Sequence, residues 1–291
     1  MRKLHLIFDM SNMTYRAYYV MRQPDLTYAP NRRELVNRVV VDCFAIVRQL
    51  SPFNIHFCFD GSKNFRKLVD HTYKEGRSGT PGMDDALNEL YDLFIHKDLN
   101  AIRVDKLEAD DCIALLCERL ETSHKFIVTG DGDIKQLVRP RTYVMPPVND
   151  KRVVACDEYS SNLVKNSFPQ WPAEAVNPNL VLFEKILKGC KSDNVAGLGP
   201  KGLRMTKITQ LVQEFEEQIE KGEEEFNALY NAIAWTTHSP VIEVKRQLQL
   251  VCLQSTYMPE DAVNEFFDIQ LKDAPPILSA QHILANTAYF L

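Results

Sequence analysis

The stretch Lys125-Phe-Ile-Val-Thr-Gly-Asp-Gly-Asp-Ile134 runs from apolar residues into two carboxylates, Asp131 and Asp133, separated by one glycine and preceded by another. Phe126-Ile127-Val128 has the pattern of a buried strand, and two anions at the mouth of such a strand point to a cation. Gly-Asp-Gly-Asp is also good turn chemistry ahead of a helix, with Asp as N-cap. The readings separate on whether other carboxylates converge on the same place. Leu4-His-Leu-Ile-Phe8 is a second apolar run and closes on Asp9. Asn54-Ile-His-Phe-Cys-Phe59 closes on Asp60, and Ala101-Ile-Arg-Val104 leads into Asp105, Glu108, Asp110 and Asp111. One acid after a strand is a turn. Four strands with acids on one rim make a charged cluster that must be neutralised.

The candidate metal ligands are Asp9, Asp60, Glu108, Asp110, Asp111, Asp131, Asp133 and, from further along, Asp193. Hard divalent cations take oxygen ligands, and Mg2+ keeps several waters, so eight carboxylates exceed the need of one ion and suit two. Two ions about 3.5–4 Å apart are the arrangement for in-line phosphodiester displacement. Glu108 and Asp111 are spaced i, i+3 on one helical face, whereas Asp110 points differently. Near a helix start the backbone bends that expectation, so Asp110 and Asp111 stay interchangeable. Either one alone also fits an acid in a first helical turn, favoured by the dipole.

A second constellation is Lys188-Gly-Cys-Lys-Ser-Asp193-Asn-Val-Ala-Gly197-Leu-Gly199-Pro-Lys201-Gly202. A helix ends at glycine, a tight turn follows, and a new helix begins near Pro200. Backbone N–H groups at a helix start bind phosphate, and Lys188, Lys191, Lys201, Arg204 and Lys207 add charge. With no base-reading residue beside them, sequence-independent duplex binding is expected. The alternative is an ordinary helix C-cap and loop. The third constellation is Phe65-Arg66-Lys67 with Tyr73-Lys74 and Arg77. Cations beside a two-metal site hold the scissile phosphate and stabilise developing charge, and an aromatic among them stacks an unpaired base.

These residues need a frame. The chain has 291 residues, 45% hydrophobic and 25% charged. That is enough for one large or two modest globular domains. No apolar run approaches the length of a membrane span, and the short apolar start ends in Asp9 rather than a cleavage site, so no membrane partner and a cytoplasmic location are expected. Seven cysteines without a C-x-x-C pair fit reduced, buried thiols rather than disulfides or zinc. The net charge is −5, but it is uneven. Residues 61–80 carry five Lys/Arg against two acids and residues 185–207 six against one, while residues 214–225 carry seven Glu against Lys221. Overall acidity therefore does not exclude a nucleic-acid partner.

Strands near 4–9, 54–60, 101–104, 126–128, 142–145 and 152–155 alternate with helical patterns at 33–50, at 83–96 and after Asp111. The fold class this implies is α/β, a mostly parallel twisted sheet with helices on both faces. In such sheets ligands bind at the carboxyl ends of the strands. Ser11 and Asn12 offer the cap of a short helix carrying Tyr15, Arg16 and Tyr18. After about residue 156 the strand pattern stops. Helices are expected at 157–167, 175–188, 202–221, 223–236 and 240–254. The expected division is an α/β domain over 1–156 that carries the acidic cluster and a helical C-terminal lobe over 157–291, with a helix–hairpin–helix at about 186–207.

In order, Phe8-Asp9 with Tyr15-Arg16-Ala17, Phe59-Asp60, Phe65-Arg66, Tyr73-Lys74 with Arg77, Glu108-Ala-Asp-Asp111, Thr129-Gly-Asp-Gly-Asp133 and Lys188-Gly … Ser192-Asp193-Asn194-Val195 … Gly197 resemble the 5′-nuclease (flap endonuclease) family. The family includes the 5′ nuclease domain of bacterial DNA polymerase I and the phage 5′ exonucleases, among them phage ribonuclease H. The resemblance spans about residues 4–205, with Arg246–Leu253 similar to a late family helix. It implies a divalent-metal, structure-selective 5′ nuclease acting on branched, nicked or 5′-ended duplex DNA and on RNA–DNA hybrids, removing flaps and RNA primers in replication or repair. It implies two Mg2+, with Mn2+ as a substitute. Asp9, Asp60, Glu108 and Asp110 or Asp111 would surround one ion, and Asp131, Asp133 and Asp193 the other. Lys74 and Arg77 would contact the scissile phosphate from an arch over residues 62–82, with Arg66 nearby and Tyr73 against DNA. The 188–205 segment is similar to the family's helix–hairpin–helix, which often holds K+. Two departures stand out: Cys190 occupies a position where many relatives carry aspartate, and the hairpin is shorter than Gly-x-x-Gly-x-Gly. By analogy the chain is expected to be a monomeric, stand-alone phage or bacterial enzyme. Its tail, residues 284–291, would be a candidate for docking on a replication clamp or single-strand-binding protein. Two other readings compete: a PIN-type ribonuclease, and a catalytically weak DNA-binding accessory protein.

Overall fold

Strand β1 (Leu4–Asp9) is buried along its whole length, which is why it reads as a continuous apolar run rather than an alternation. It is an interior strand of the sheet in a computed structural model that describes residues 3–22, 29–77, 79–147 and 152–272. The chain continues through α1 (Met10–Met21), α2 (Arg32–Leu50), β2 (Asn54–Cys58), the single turn α3 (Arg66–Val69), α4 (Met83–His96), β3 (Asn100–Ile102), α5 (Ala109–Arg119) and β4 (His124–Val128). A 3-10 turn over Asp133–Leu137 leads to β5 (Thr142–Met145), β6 (Val153–Ala155), α6 (Glu158–Ser167) and β7 (Ala173–Ala175). The second half holds α7 (Pro178–Lys188), the two-residue strands β8 (Gly189–Cys190) and β9 (Val195–Ala196), then α8 (Met205–Glu220), α9 (Glu225–Thr237), α10 (Val241–Val251) and α11 (Glu260–Asp268).

The seven main strands lie in the order β3-β2-β1-β4-β5-β6-β7. All neighbours are parallel except β5 and β6. The chain builds outward from β1 to β3, then returns to place β4 on the other side of β1. That reversal opens a crevice at the carboxyl ends of β1 and β4, where ligands of open α/β sheets bind. The period of two along each strand divides the core. Leu6, Phe8, Phe57, Phe126 and Val128 pack with residues of α1, α2 and α4, whereas Ile7, Cys58, Ile127, Val144 and Val154 pack with α5 and α11. A third cluster joins α7, α8, α9 and α10 and includes Tyr73. The α/β sheet and the helical lobe are thus as the sequence implies.

Several expectations are corrected. Asp9 itself is the N-cap of α1, accepting the Asn12 N–H at 2.9 Å, so the helix starts directly at the strand end and Ser11 and Asn12 lie inside it. Strand structure continues beyond residue 156. The edge strand β7 pairs with β6, and Val164, Trp171 and Ala173 belong to the first core. Its Ala-Glu-Ala sequence between prolines has no apolar alternation by which to be read. At the other end α11 returns to the sheet domain, with Phe266 wholly buried against the α5 side. Packing therefore crosses the expected boundary twice, and the third core cluster falls within 180–257 apart from Tyr73 and Val69. Helix α8 begins at Met205 rather than near Pro200. Residues 284–291, the expected docking tail, lie outside the described residues.

Two buried polar pairings lie toward the opposite, amino-terminal end of the strands. Lys125, 1% exposed at the start of β4, donates to the carbonyls of Leu120 and Ser123 at 2.8 and 3.0 Å and so caps the end of α5. His5 and His56 stack across β1 and β2 with Nδ1 and Nε2 3.0 Å apart, and burial holds both well below the ordinary histidine range, so both rings are neutral.

Candidate metal centre and nucleic-acid groove

Asp9 ends β1 and is 4% exposed. Its two carboxylate oxygens accept from the Asn12 N–H and from the Thr129 hydroxyl, at 2.9 and 2.8 Å. Asp60 follows β2 and accepts from the Ala109 N–H at 2.8 Å and from Ser11 at 2.6 Å. That approach depends on Gly61, where a Cβ would run into the Val104 carbonyl oxygen and the Gly61 N–H instead donates to Leu107. The loop after β4 is held by Asn12, which accepts from Gly130 N–H at 2.8 Å, and by an Asp131 side chain that accepts from the Asp133 N–H. Asp110 stands in the first turn of α5 and lines the same cleft. Four carboxylates from three strand ends and one helix start thus meet.

Their electrostatics are unfavourable without a cation. Burial, with the neighbouring Asp60 and Asp131 charges, holds the Asp9 carboxyl up at about 7, against the pull of its two donors. Burial, then Asp9 and Asp131, raises Asp110 well above the usual carboxylate range. Among the described residues none of Asp9, Asp60, Asp110 and Asp131 forms an ion pair. Carboxylates that line one cleft and raise one another's proton affinity form a donor set suited to a hard divalent ion.

Asp110 and Asp111, interchangeable in sequence, part completely. Asp111 is fully buried and faces away from the cleft. It takes both terminal nitrogens of Arg66 at 2.7 Å and the Glu108 N–H at 2.9 Å, closing a capping box at the start of α5. Arg66, expected among the phosphate-holding cations, is 2% exposed and turns its Nε to the Leu250 carbonyl. The physical reason is economy of partners: a buried guanidinium and a buried carboxylate each need the other. Glu108 joins neither group cleanly. Its oxygens accept from Arg66, from Tyr73 at 2.9 Å and from Lys74. Tyr73 is buried in the helical lobe, so its hydroxyl orients Glu108 and its ring has no free face for a base.

The remaining acids carry cations already. Lys185 meets Asp133 at 2.6 Å, and Arg77 meets Asp193 and the Ser192 carbonyl. The segment expected to arch over the site is docked here, with Lys74 N–H on the Asp193 carbonyl at 2.7 Å. Asp133, Cys190 and Asp193 gather ligand atoms within 4.8 Å of one another. Between Tyr15, Asp60, Lys63 and Arg77 runs an open groove of about 1040 Å³, leading to an inner cavity of about 100 Å³ under Lys74. The groove walls are basic and aromatic, and its floor is acidic.

The hairpin stands on its glycines. A Cβ on Gly197 would meet the Leu187 carbonyl oxygen, and Gly199 N–H donates to that same carbonyl at 2.9 Å. Lys188, Lys191, Lys201 and Arg204 are exposed around it, with Lys207 partly buried. Lys188 pairs with Glu184 at 2.9 Å. Sequence reasoning missed the positioning roles of Asn12 and Thr129 and the presence of Lys185 in the cleft. A serine and an asparagine two and three residues after a strand-end aspartate were the available signal for the first.

A family model, the 5′-3′ exonuclease N-terminal resolvase-like domain, matches residues 4–168. The flap endonuclease Xni of Aeromonas hydrophila is 29% identical over 220 residues, covering 72% of this chain and 75% of the relative. A 5′-3′ exonuclease of Buchnera aphidicola is 26% identical over 218 residues, 70% of this chain and 65% of the relative. Among solved structures, T5 5′-exonuclease with bound zinc superposes with a TM-score of 0.61 at 17% identity, over 91% of this chain and 97% of that one, a likeness of fold. The chain belongs to the 5′-3′ exonuclease family and is a structure-selective 5′ nuclease, a phosphodiesterase hydrolase.

Proposed function

We propose that Asp9, Asp60, Asp110 and Asp131 hold a divalent cation, Mg2+ with Mn2+ able to replace it, and that the chain cleaves a phosphodiester near the 5′ end or branch point of duplex DNA. The observation that carries this is the set of four acids on one rim without a cationic partner, under a groove whose walls are basic. A second cation, implied by the resemblance, would fall to Asp133 and Asp193. The bound metal would supply an activated water and charge neutralisation at the phosphate. The chain's own residues do the rest. Glu108 and Tyr73 fix Lys74, and Ser192 and Asp193 fix Arg77, so that two cations border the cleft where a scissile phosphate enters. Asp9 is aimed by Thr129 and Asp60 by Ser11. Tyr15, in the groove beside Asp60, offers a face for an unpaired base. The hairpin lysines and Arg204 hold the duplex through its phosphates, without reading bases.

RNA–DNA hybrid is a further substrate on this reading, because the groove presents charge and shape rather than base-edge contacts. The homologue from Aeromonas, named a flap endonuclease, supports the branched substrate. The hairpin K+, the clamp or single-strand-binding partner and the monomeric state remain implications of the resemblance. Incubating 5′-labelled flap, nicked duplex and RNA–DNA hybrid with the protein, with Mg2+ or EDTA, tests the reading. Mg2+-dependent release of short 5′ products from the flap supports it; cleavage that persists in EDTA, or none on any of the three, refutes it. Among the described residues no helix is long and apolar enough to cross a membrane.

A further inference from the structure

The outer acids already look like a cation site with a cation in it. Asp133, Cys190 and Asp193 present two carboxylates and a thiol at ligand spacing. Lys185 reaches into that set from α7, with Nζ 2.6 Å from Asp133 and 3.2 Å from Cys190 Sγ. The lysine is not a loose surface group. Helix α7 packs on the 3-10 turn that carries Asp133, and its neighbours Ile186 and Leu187 are buried in the helical lobe. Arg77 meets Asp193 from the other side. Two carboxylate charges are therefore balanced by two side-chain cations. The third ligand is a thiol, which hard ions such as Mg2+ favour less than a carboxylate. At the inner acids the balance is the opposite, four carboxylates without a paired cation.

We propose that Lys185 permanently supplies the positive charge of the outer position, so that this chain holds one divalent cation tightly at the inner acids and a second only weakly. The assignment rests on the reading of the inner acids as a divalent-cation site. An ammonium beside Asp133 repels an incoming divalent ion and occupies two of its three ligands. Lys185 is thus a positioning residue that substitutes charge for a metal, and Cys190 is the residue that makes the exchange tolerable.

Mn2+ titration followed by the EPR signal of the free ion counts the sites without reference to activity. Wild type is expected to bind one ion, with any second at least about tenfold weaker. Lys185→Met should bring the second ion to within about threefold of the first. Lys185→Met combined with Cys190→Asp should tighten it further, and Lys185→Arg should keep the wild-type count. Wild type binding two ions of equal affinity overturns the proposal and leaves the inner site standing. So does a Lys185→Met variant with wild-type circular dichroism that still binds one; if that variant fails to fold, Lys185→Gln is counted by the same criteria. Asp110→Asn that retains the tight ion overturns the reading of the inner site instead.

Discussion

The inner acids and the outer acids are the same residue type in the same cleft, yet among the described residues only the outer ones are paired with cations. Asp9, buried, and Asp110, partly buried, stand beside like charges and are pushed toward their neutral forms. Asp133 and Asp193 each have a cation in contact, although burial still raises the Asp133 carboxyl against the pull of Lys185. The difference teaches that the number of carboxylates in a cleft does not give the number of metals. What counts is how many of them lack a partner. The same lesson holds over one residue step: Asp110 opens on the cleft without an ion pair, and Asp111 closes a buried pair with Arg66.

Exchange to asparagine separates these neighbours. Asp111→Asn removes the bidentate partner of the buried Arg66 guanidinium and leaves it only Glu108, and should destabilise the fold by about 3 kcal/mol in urea denaturation. Asp110→Asn should leave the metal-free protein as stable or more so, because it removes a charge that burial disfavours. Equal losses at both positions would mean that the division between metal-facing and structural acid is wrong. Removing a cation from the substrate side comes next. Lys74→Ala should lower single-turnover cleavage at saturating flap by about 10²-fold, as for other lost oxyanion donors, with flap binding little changed. The hairpin should show a smaller and different loss. Gly197→Ala forces a methyl against the Leu187 carbonyl, and should weaken duplex binding about tenfold by fluorescence anisotropy. Tight binding of one Mn2+ should survive it.

Most of this cleft was legible. Each strand that ends in an acid announces a rim, because apolar runs do not tolerate an unneeded carboxylate. Asp9, Asp60, Asp131 and Asp133 were placed by that rule, as were the sheet and the succession of helices. What was not legible was side-chain direction at the start of α5. A capping box and a metal-facing acid use the same letters, and only the bulk of Arg66 under the helix decides which acid does which. Lys185 was hidden for a related reason: in sequence it is one of six basic residues in a charged stretch, and only the packing of α7 on the Asp133 turn brings it inward. β7 was hidden because three residues at a sheet edge carry no periodicity, and α11 was passed over although Pro259-Glu-Asp is a fair helix start.

The smallest expected effect is on pH. With Asp9 held up at about 7, the metal-free folded state binds more protons than the unfolded chain between the ordinary carboxylate range and neutrality. Its contribution to stability is full below that range and is lost as pH rises through 7. Bound Mg2+ offsets both the burial and the lesser repulsion that cause the loss. The Mg2+-induced rise in Tm should therefore be larger at pH 8 than at pH 6; an equal or reversed difference would show that the inner acids are not the ones that bind.

The most direct test is cleavage of a 5′-labelled flap by wild type and Asp110→Asn, each with Mg2+ and with EDTA, alongside flap binding in Ca2+. Wild type should cut only with Mg2+. Asp110→Asn should lose about 10³-fold in rate while binding the flap within about threefold of wild type. Asp110→Asn that cuts at the wild-type rate in Mg2+ would contradict the central claim, that the unpaired acids of the rim are the metal centre of this nuclease.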